Sequence, residues 1–367
     1  MKRYTINRIK SKPDQAPEAE NSGVLDVGID MHNVSWHVTI LKDEVEIFHG
    51  TVPGSWPALQ RLLDRHRKGC RKIQAVYEAG YFGFWLHDRL VAFGADCLVT
   101  PPSLILQESG NRVKTDSRDS RKLAWLLSKG MLRRIWVPTP LQREERQVLR
   151  RRRQLVGDRV RGQNRIKAEL RCYGIDLPNV KGRWTLRYVE NLKKLRFSSD
   201  SKWLQESFNR LLDEYDFLTQ QINRQTALVK ELSMTDRFRE RVAILRTTPG
   251  IGIIAAMEVL VELCDVARFQ TAKQLAAYVG LTPSQYSSGE HIRLGRITRT
   301  GKGPLRAILV EASWRLIAKD PVMRKKYAHL SARRGAKRAI CAIARMLLVR
   351  LRHLLLNNEP YVVGVAA

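Results

Sequence analysis

The sequence predicts a mixed α/β domain in its N-terminal third, followed by a long region that is almost wholly helical. Two observations support this prediction. Short β-prone runs and a β-α-β pattern occupy residues 23–100, whereas apolar residues recur at helical spacing from residue 118 onward. At 367 residues, 44% of them hydrophobic, the chain is long enough for two or three domains with their own cores.

The N-terminal elements follow one another with short connections. Residues 1–22 combine charged residues with proline and predict a flexible basic arm. The next three short runs predict an antiparallel meander, and a helix, strand, helix and strand follow them. In order, these seven elements span 24–30, 35–41, 45–48, about 55–68, 73–78, about 82–93 and 96–100. Together they predict one mixed sheet with packed helices, in a domain over 23–135.

The remainder of the chain predicts helices, one of which breaks near Gly335. Their spans are 118–130, 141–174, 201–234, 236–247, 252–263, 271–279 and 304–355. The two longest, 141–174 and 201–234, suggest an antiparallel coiled-coil arm with a loop and a short helix between them. We therefore predict a helical linker over 136–235 and a mainly helical C-terminal domain over 236–367.

The charge balance indicates a polyanionic partner. Lys and Arg number 65 against 36 Asp and Glu, which gives a net charge of +29 at pH 7. This excess argues against an enzyme with a small neutral substrate and favours nucleic acid. An anionic membrane surface is the alternative, but the sequence has no run of about 18 apolar residues and no secretion signal. We therefore expect a soluble, cytoplasmic protein without a membrane partner.

Acidic residues stand at two predicted strand ends and one helix start. Asp30 and Glu78 each end a strand, and Asp116 and Asp119 lie three apart on one face of the next helix. Four carboxylates brought together need a cation to stay ionised. Oxygen ligands suit Mg²⁺ or Mn²⁺, which act on phosphoryl oxygens. We interpret these acids as catalytic metal ligands; for each one alone, a helix cap or a turn is the alternative.

No other cofactor is indicated. The five cysteines are an odd number with no CxxC pair, which disfavours a zinc ribbon and a disulfide framework. The sequence also lacks a phosphate-binding loop of the Gly-Lys-Ser/Thr type, so we expect no ATP-driven step.

Two motifs favour contact with a nucleic-acid backbone. The Thr248–Gly252 segment between two predicted helices is a helix-hairpin-helix signature, in which Gly250 and Gly252 would admit a phosphate. A tight turn without a ligand is the alternative. The consecutive arginines Arg150, Arg151, Arg152 and Arg153 cover more than one helix face, so they cannot all pack against protein. They favour phosphate contact, with a solvated helix face as the alternative.

A Gly-, Ser- and Thr-rich segment over 280–303 combines hydroxyl groups with cations. Ser287 and Ser288 directly precede Gly289, and basic side chains follow at Arg293, Arg296, Arg299 and Lys302. A serine in a phosphate-binding pocket can attack a phosphodiester and keep its bond energy in a covalent intermediate. An ordinary loop is the alternative.

These ordered motifs resemble those of the DEDD-type insertion-sequence transposases, a family of bridge-RNA-guided recombinases. The matching segments are GID (28–30), YEAG (77–80), VKTDSRD (113–119), TTPGIG (247–252) and GLTPSQYSSGEHIRLGRITRTGKGPLR (280–306). The resemblance runs from about residue 23 to about 355. It implies a ribonuclease-H/RuvC-like N-terminal domain, a helical coiled-coil connection and a C-terminal transposase domain with a catalytic serine.

The resemblance also implies roles for single residues. Asp30, Glu78, Asp116 and Asp119 match the acidic tetrad, and Ser288 matches the serine nucleophile. The chain departs from the family at Ser120, where alanine is usual, and at Met31-His32-Asn33. Neither departure touches a presumed ligand, while the neighbouring Ser287 leaves the choice of nucleophile open.

From the resemblance we predict a prokaryotic, nucleoid-associated transposase that exchanges DNA strands through a covalent serine–DNA intermediate. Its implied partners are donor and target DNA, a structured guide RNA, and further copies of the chain as dimers that form a tetramer on DNA. A junction-resolving nuclease that uses metal without a covalent intermediate is the first alternative. A non-catalytic nucleic-acid-binding protein is the second.

Overall fold

The computed structural model describes residues 23–106, 116–175, 184–197, 201–286, 291, 293–298 and 300–365. Within these ranges, Asp116, Ser117 and Leu294 are described by their backbone alone. The predicted basic arm over 1–22 lies outside the described residues. The chain divides into two compact units, Met1–Pro138 and Thr139–Ala367. The predicted linker and C-terminal domain fall together in the second unit, and their separation at residue 235 stays a prediction.

The first unit is built on a five-stranded mixed sheet. Its elements are β1 (Gly23–Met31), β2 (Ser35–Lys42), β3 (Val45–Pro53), α1 (Trp56–His66), β4 (Cys70–Glu78), α2 (Trp85–Ala92), β5 (Asp96–Thr100) and α3 (Asp116–Ser128). The order across the sheet is β3-β2-β1-β4-β5. β1 pairs antiparallel with β2 and parallel with β4. The predicted mixed sheet with packed helices is confirmed.

The two faces of β1 have different neighbours. Leu25, Val27 and Ile29 are buried in a core cluster with leucines of α1 and α2. The alternate residues Asp26, Gly28 and Asp30 belong to the opposite face, since side chains alternate along a strand. Gly28 meets the backbone of α3, so α3 covers this second face. The predicted acidic residue of β1 therefore lies on the α3 side of the sheet.

β3 continues beyond its predicted end at Phe48. It pairs with β2 as far as Ser35 opposite Pro53, with a register shift near Ile40. The added residues His49, Gly50 and Thr51 lack the apolar alternation that signals a strand, so the sequence pattern missed them.

The second unit is mainly helical. Its elements are α4 (Pro140–Cys172), α5 (Leu186–Lys194), α6 (Lys202–Ser233), α7 (Arg239–Arg246), α8 (Ile253–Leu263), α9 (Ala272–Val279), β6 (Pro283–Gln285), β7 (Leu294–Ile297), α10 (Gly303–Lys319), α11 (Pro321–Arg334) and α12 (Ala336–Asn357). The long helices α4 and α6 pack together through buried Leu155, Leu218 and Ile222. The predicted helical C-terminal region is confirmed. In the described ranges, no helix combines the length and apolar content that crossing a membrane requires.

Two features of this unit were not signalled by the sequence pattern. The Gly-rich segment over 280–303 contains the two-stranded hairpin β6–β7. The helical region over 304–355 breaks not only at Gly335 but also at Asp320, which ends α10 and caps α11. Pro321 occupies the first turn of α11, a position where its missing N–H costs nothing.

Asp320 is fully buried and ties α11 to the segment after α12. Its Oδ1 accepts hydrogen bonds from the Val322 and Met323 amides at 2.9 and 3.0 Å. Its Oδ2 accepts from the Tyr361 hydroxyl at 2.7 Å and the Gly364 amide at 3.2 Å. Burial raises the pKa of this carboxyl, but these four hydrogen bonds outweigh burial and leave the pKa below its ordinary value.

We expect Asp320→Asn to destabilise the second unit at neutral pH by roughly 2 kcal/mol, because the amide nitrogen cannot accept the Tyr361 and Gly364 hydrogen bonds. A folded-state pKa below the unfolded one gives stability that is present at neutral pH and is lost as the carboxyl protonates. Denaturant unfolding at pH 7 and pH 3 should therefore show the two proteins converging in acid. Asp213→Asn, at an exposed carboxylate, is the control; an Asp320→Asn deficit of equal size at both pH values would contradict this prediction.

Candidate active site

The two predicted acidic strand ends lie side by side. In the parallel register of β1 and β4, Ile29 is opposite Tyr77, and Asp30 and Glu78 are the next residues along each strand. Neighbouring strands are about 4.8 Å apart, so both residues leave the same edge of the sheet at close range. The fold thus brings these two acids to one edge, and their role as metal ligands stays a prediction.

The same alternation places Glu78 on the face that α3 covers. Val76, two residues earlier on β4, is fully buried against Leu123 and Leu127 of α3. Asp30 stands two residues after Gly28, which also faces α3. The two carboxylates therefore share one face as well as one edge of the sheet.

Helix α3 begins at this same edge. Near its C-terminal end, Lys129 pairs with Glu44 in the turn before β3, and the backbone of that turn bonds to Val24 at the start of β1. The helix thus runs opposite to β1, and its first turn lies toward Asp30. Asp119 belongs to that first turn and is half-buried, and Asp116 begins the helix.

Gly28 allows α3 to lie directly on β1. A Cβ atom at this position would stand 2.2 Å from the Ser120 carbonyl oxygen and 2.5 Å from the Ala124 nitrogen. Both neighbours are backbone atoms, which cannot swing aside as a side chain can. The glycine of the GID motif therefore sets the distance between the sheet and the helix that carries Asp116 and Asp119.

A row of hydrogen bonds joins α3 to β2 and β3. The hydroxyls of Ser120 and Thr39, both fully buried, lie 2.9 Å apart, and Thr39 also bonds the His49 Nδ1 at 2.9 Å. Burial, and then the charge of Arg121, lower the pKa of His49, which favours the neutral imidazole. The sequence marks Ser120 as a departure from the family that touches no presumed ligand. In the structure, its hydroxyl ties α3 to β2 directly beside Asp119.

Asp30 has a basic neighbour from its own loop. The His32 Nε2 lies 3.1 Å from the Asp30 Oδ2, and the Asp30 side chain is 18% exposed. Among the residues that the structure describes, no group of three or more His, Cys, Asp and Glu side chains is arranged to hold a metal ion. The Asp116 side chain lies outside that description, so the full tetrad stays a prediction.

The predicted nucleophile falls in the connection of the β6–β7 hairpin. Ser287, Ser288 and Gly289 lie outside the described residues, as does Arg299. On either side, Gln285 pairs with Leu294, and the Tyr286 amide donates to the Arg293 carbonyl at 2.9 Å. Arg293 and Arg296 are exposed on this hairpin.

Two glycines fix the base of the hairpin segment. Gly280 and Gly301 both have positive φ, 77° and 81°. A Cβ at Gly280 would lie 1.9 Å from the Thr300 carbonyl oxygen, and one at Gly301 would lie 2.3 Å from the Tyr278 carbonyl oxygen. The two ends of the segment therefore cross in direct backbone contact, which only glycine permits.

Two basic side chains beside this crossing bind protein groups. The Arg306 guanidinium donates to the Val279 and Thr300 carbonyls at 2.8 and 3.1 Å. The Lys302 ammonium lies 3.2 Å from the buried carboxylate of Glu262. Lys302, which the sequence suggested as a nucleic-acid contact, is therefore engaged within the protein in this structure.

The arginine run divides in the same way. The Arg153 Nη1 donates to both carboxylate oxygens of Glu258, at 3.0 and 3.1 Å, and Glu258 is 3% exposed. The Arg152 Nε donates to the Thr226 hydroxyl at 2.9 Å. Arg150 and Arg151 are exposed. Two of the four residues thus stabilise the helical unit, and two face outward.

The glycines of the Thr248–Gly252 turn have unequal surroundings. Gly250 has φ 93°, and a Cβ there would lie 2.6 Å from the Ala312 carbonyl oxygen of α10. Packing alone therefore requires this glycine. Gly252 precedes α8, and a Cβ there would meet no atom within 4 Å. Contact of either glycine with nucleic acid stays a prediction.

Comparison with known proteins gives a consistent result. The model of the transposase IS116/IS110/IS902 family matches residues 242–328, and a DEDD transposase model of IS110 type matches residues 27–175. The chain is 30% identical to a Sinorhizobium fredii protein named as transposase y4qE, over 78% of this chain and 70% of that one.

Two further relatives come from other bacteria. The transposase for insertion sequence element IS1533 of Leptospira borgpetersenii is 26% identical, over 91% of this chain and 96% of its own length. The pilin gene-inverting protein of Moraxella bovis is 31% identical, over 35% of this chain and 41% of its own length.

The first unit has a mixed sheet with two acids at one edge, and the second unit is helical. Transposases match the chain in both units, so it is an enzyme that cuts and rejoins DNA. The chain belongs to the IS116/IS110/IS902 family of insertion-sequence transposases.

Proposed function

We propose that this transposase exchanges DNA strands with the acids Asp30, Glu78, Asp116 and Asp119 as metal ligands and Ser288 as the nucleophile. The observation that carries the proposal is the shared edge: Asp30 and Glu78 end neighbouring parallel strands, and the first turn of α3 lies toward them. The common edge of Asp30 and Glu78 supports a phosphoryl-transfer site, which needs acids from distant parts of the chain.

The sheet also supports a ribonuclease-H/RuvC-like fold for the first unit. The order β3-β2-β1-β4-β5, with an antiparallel β2 and a central β1, brings an acid on β1 next to one on β4. The helix-hairpin-helix element of the second unit is proposed from α7, the Thr248–Gly252 turn and α8.

Mg²⁺ or Mn²⁺ is the cofactor that fits this donor set. Asp30 and Glu78 supply oxygen ligands only, which hard divalent cations prefer, and Asp116 and Asp119 begin the helix over the same edge. When bound, such an ion would neutralise the charge that develops on the phosphoryl oxygens. Two residues position the helix that carries Asp116 and Asp119. Gly28 sets the distance between α3 and β1, and the Ser120 hydroxyl ties the start of α3 to β2.

The proposed covalent step uses the hydroxyl of Ser288. Its oxygen attacks a backbone phosphorus, the bond from that phosphorus to one deoxyribose oxygen breaks, and the serine proton ends on the departing oxygen. In the return step, a hydroxyl end of the exchanged strand attacks the same phosphorus and its proton returns to Ser288. The phosphodiester is restored without ATP.

Recombination breaks four strands, so we propose that dimers of this chain pair into a tetramer on DNA. The relative named a pilin gene-inverting protein supports strand exchange, because inverting a gene requires that DNA be cut and rejoined. A structured guide RNA would select donor and target by base pairing, while the protein contacts backbone. Exposed Arg150, Arg151, Arg293 and Arg296 are the proposed backbone contacts.

The test is strand cleavage with purified protein, guide RNA, DNA and Mg²⁺, read together with capture of a protein–DNA adduct. We expect Asp30→Asn and Glu78→Gln to reduce cleavage to background while DNA binding persists. Ser288→Ala should form no adduct, and the matched control Ser287→Ala should form it as the unchanged protein does.

Other outcomes would select an alternative. Cleavage that persists in Ser288→Ala without any adduct would indicate a junction-resolving nuclease. An adduct lost only in Ser287→Ala would move the nucleophile by one residue. Unchanged activity after Asp116→Asn and Asp119→Asn would favour a nucleic-acid-binding protein. Sequencing of RNA that co-purifies with the chain tests the guide directly.

A further inference from the structure

Beyond this chemistry, an exposed tyrosine stands at the acidic edge of the sheet. We infer that Tyr81 is a stacking platform for an unpaired DNA base beside the phosphate that Asp30 and Glu78 serve. The inference rests on the proposed function for the location of that phosphate. Tyr81 is 77% exposed, so its ring is accessible to a base.

The ring of Tyr81 links the two loops that leave the acidic strands. Tyr81 follows Glu78 by three residues, and its hydroxyl donates to the Asn33 Oδ1 at 3.3 Å. Asn33 in turn follows Asp30 by three residues. Three residues span at most about 10 Å, so the Cα atom of Tyr81 lies within about that distance of the Cα atom of Glu78. A phosphate held at the carboxylates therefore brings its neighbouring bases within reach of this ring.

The platform is fixed before any ligand arrives. The ring centroids of Tyr81 and Phe82 are 4.2 Å apart, and the angle between the two ring planes is 30°. The loop itself is held by the Tyr77 hydroxyl, which donates to the Gly83 carbonyl at 3.0 Å, and by the Ala79 amide, which donates to the Thr100 carbonyl at 2.8 Å. A ring held in this way loses little conformational entropy when a base stacks on it.

The observations favour a nucleobase as the occupant. The chain carries a net charge of +29, and its acidic edge is the proposed place of a DNA phosphate, so a strand must pass this loop. Every base has a π-face, and stacking on an aromatic side chain adds about 1–3 kcal/mol per base. Base pairs of an intact duplex stay stacked on each other, so the platform should act on unpaired DNA.

The test measures binding to single-stranded DNA that contains 2-aminopurine, with Ca²⁺ in place of Mg²⁺, so that the carboxylates can hold a cation and binding is read instead of cleavage. We expect Tyr81→Ala to weaken binding by about 5- to 150-fold and to abolish the fluorescence quenching of the stacked base. Tyr81→Phe keeps the ring and should bind almost as the unchanged protein does. Trp203→Ala, at a ring that is 81% exposed in the second unit, is the matched control and should change nothing. Affinity for the same sequence as duplex DNA should not depend on Tyr81.

Several results would overturn the inference. Equal losses for single-stranded and duplex DNA would mean that Tyr81 contributes to general binding only. A loss confined to RNA of the same sequence would assign the platform to RNA, and a loss of self-association would assign it to a protein interface. Because the readout is binding and not cleavage, a failure of the cleavage tests at Asp30 and Ser288 leaves this result readable by itself. Equal thermal melting of the variants shows that each is folded.

Discussion

Gly28→Ala is expected to reduce strand cleavage by about 100-fold and to lower the free energy of unfolding of the first unit by roughly 3 kcal/mol. The added Cβ would lie 2.2 Å from the Ser120 carbonyl oxygen and 2.5 Å from the Ala124 nitrogen. To relieve these contacts, α3 must move by about 1 Å, and a misplacement of that size is enough to cost about 100-fold in rate.

Gly50→Ala is the matched control on the same sheet. The nearest atoms to its Cβ would belong to the ring of Phe48, at 3.3 Å, and a ring can turn aside. Urea unfolding and single-turnover cleavage measure the two effects. If Gly28→Ala cleaved DNA and unfolded as Gly50→Ala does, α3 would not be set by this glycine, and the proposed placement of Asp116 and Asp119 would lose its basis.

Arg153→Ala is expected to destabilise the second unit by roughly 3 kcal/mol, because it leaves the carboxylate of Glu258 buried without its partner. Burial raises the pKa of Glu258, and Arg153 opposes that rise. A carboxyl whose folded-state pKa is raised costs stability once it must ionise, and this cost grows with pH. The loss should therefore be larger at pH 8 than at pH 5 in denaturant unfolding.

The neighbouring arginines provide the controls. Arg150→Ala and Arg151→Ala should change the free energy of unfolding by less than about 0.5 kcal/mol. Each should instead lower nucleic-acid affinity and reduce the slope of log K against log salt by about 1. The double variant Arg153→Met with Glu258→Leu should recover most of the lost stability, since it removes the uncompensated charge. If Arg150→Ala and Arg153→Ala had the same free energy of unfolding, the assignment of a structural role to Arg153 and of an exposed position to Arg150 would be wrong.

Much of the acidic edge could be predicted from the sequence. Asp30 and Glu78 each end a β-prone run, and neighbouring parallel strands bring such ends to one edge of the sheet. The order of motifs along the chain then suggested an insertion-sequence transposase with a DEDD-type domain, and the comparisons bear out that class of protein. Local pattern sufficed here because the relevant signal, alternation ending in a carboxylate, lies within each strand.

Contacts between distant residues were not predictable in this way. Ser120 bonds to Thr39 across 81 positions of the chain, and nothing local marks either hydroxyl. The basic pattern of α4 suggested an exposed face, yet Arg146 is buried and donates to the Val261 and Glu262 carbonyls at the end of α8. An arginine signals its charge in the sequence, but the partner that decides its role comes from another helix.

The backbone crossing at Gly280 and Gly301 has a consequence for how such chains diverge. The two ends of the hairpin segment contact each other beside α9 and α10. A change between these ends therefore need not move either helix. The two glycines should therefore persist among distant relatives. Transplanting the segment between them should transfer Ser288 and its neighbours as one piece and leave α9 and α10 in place.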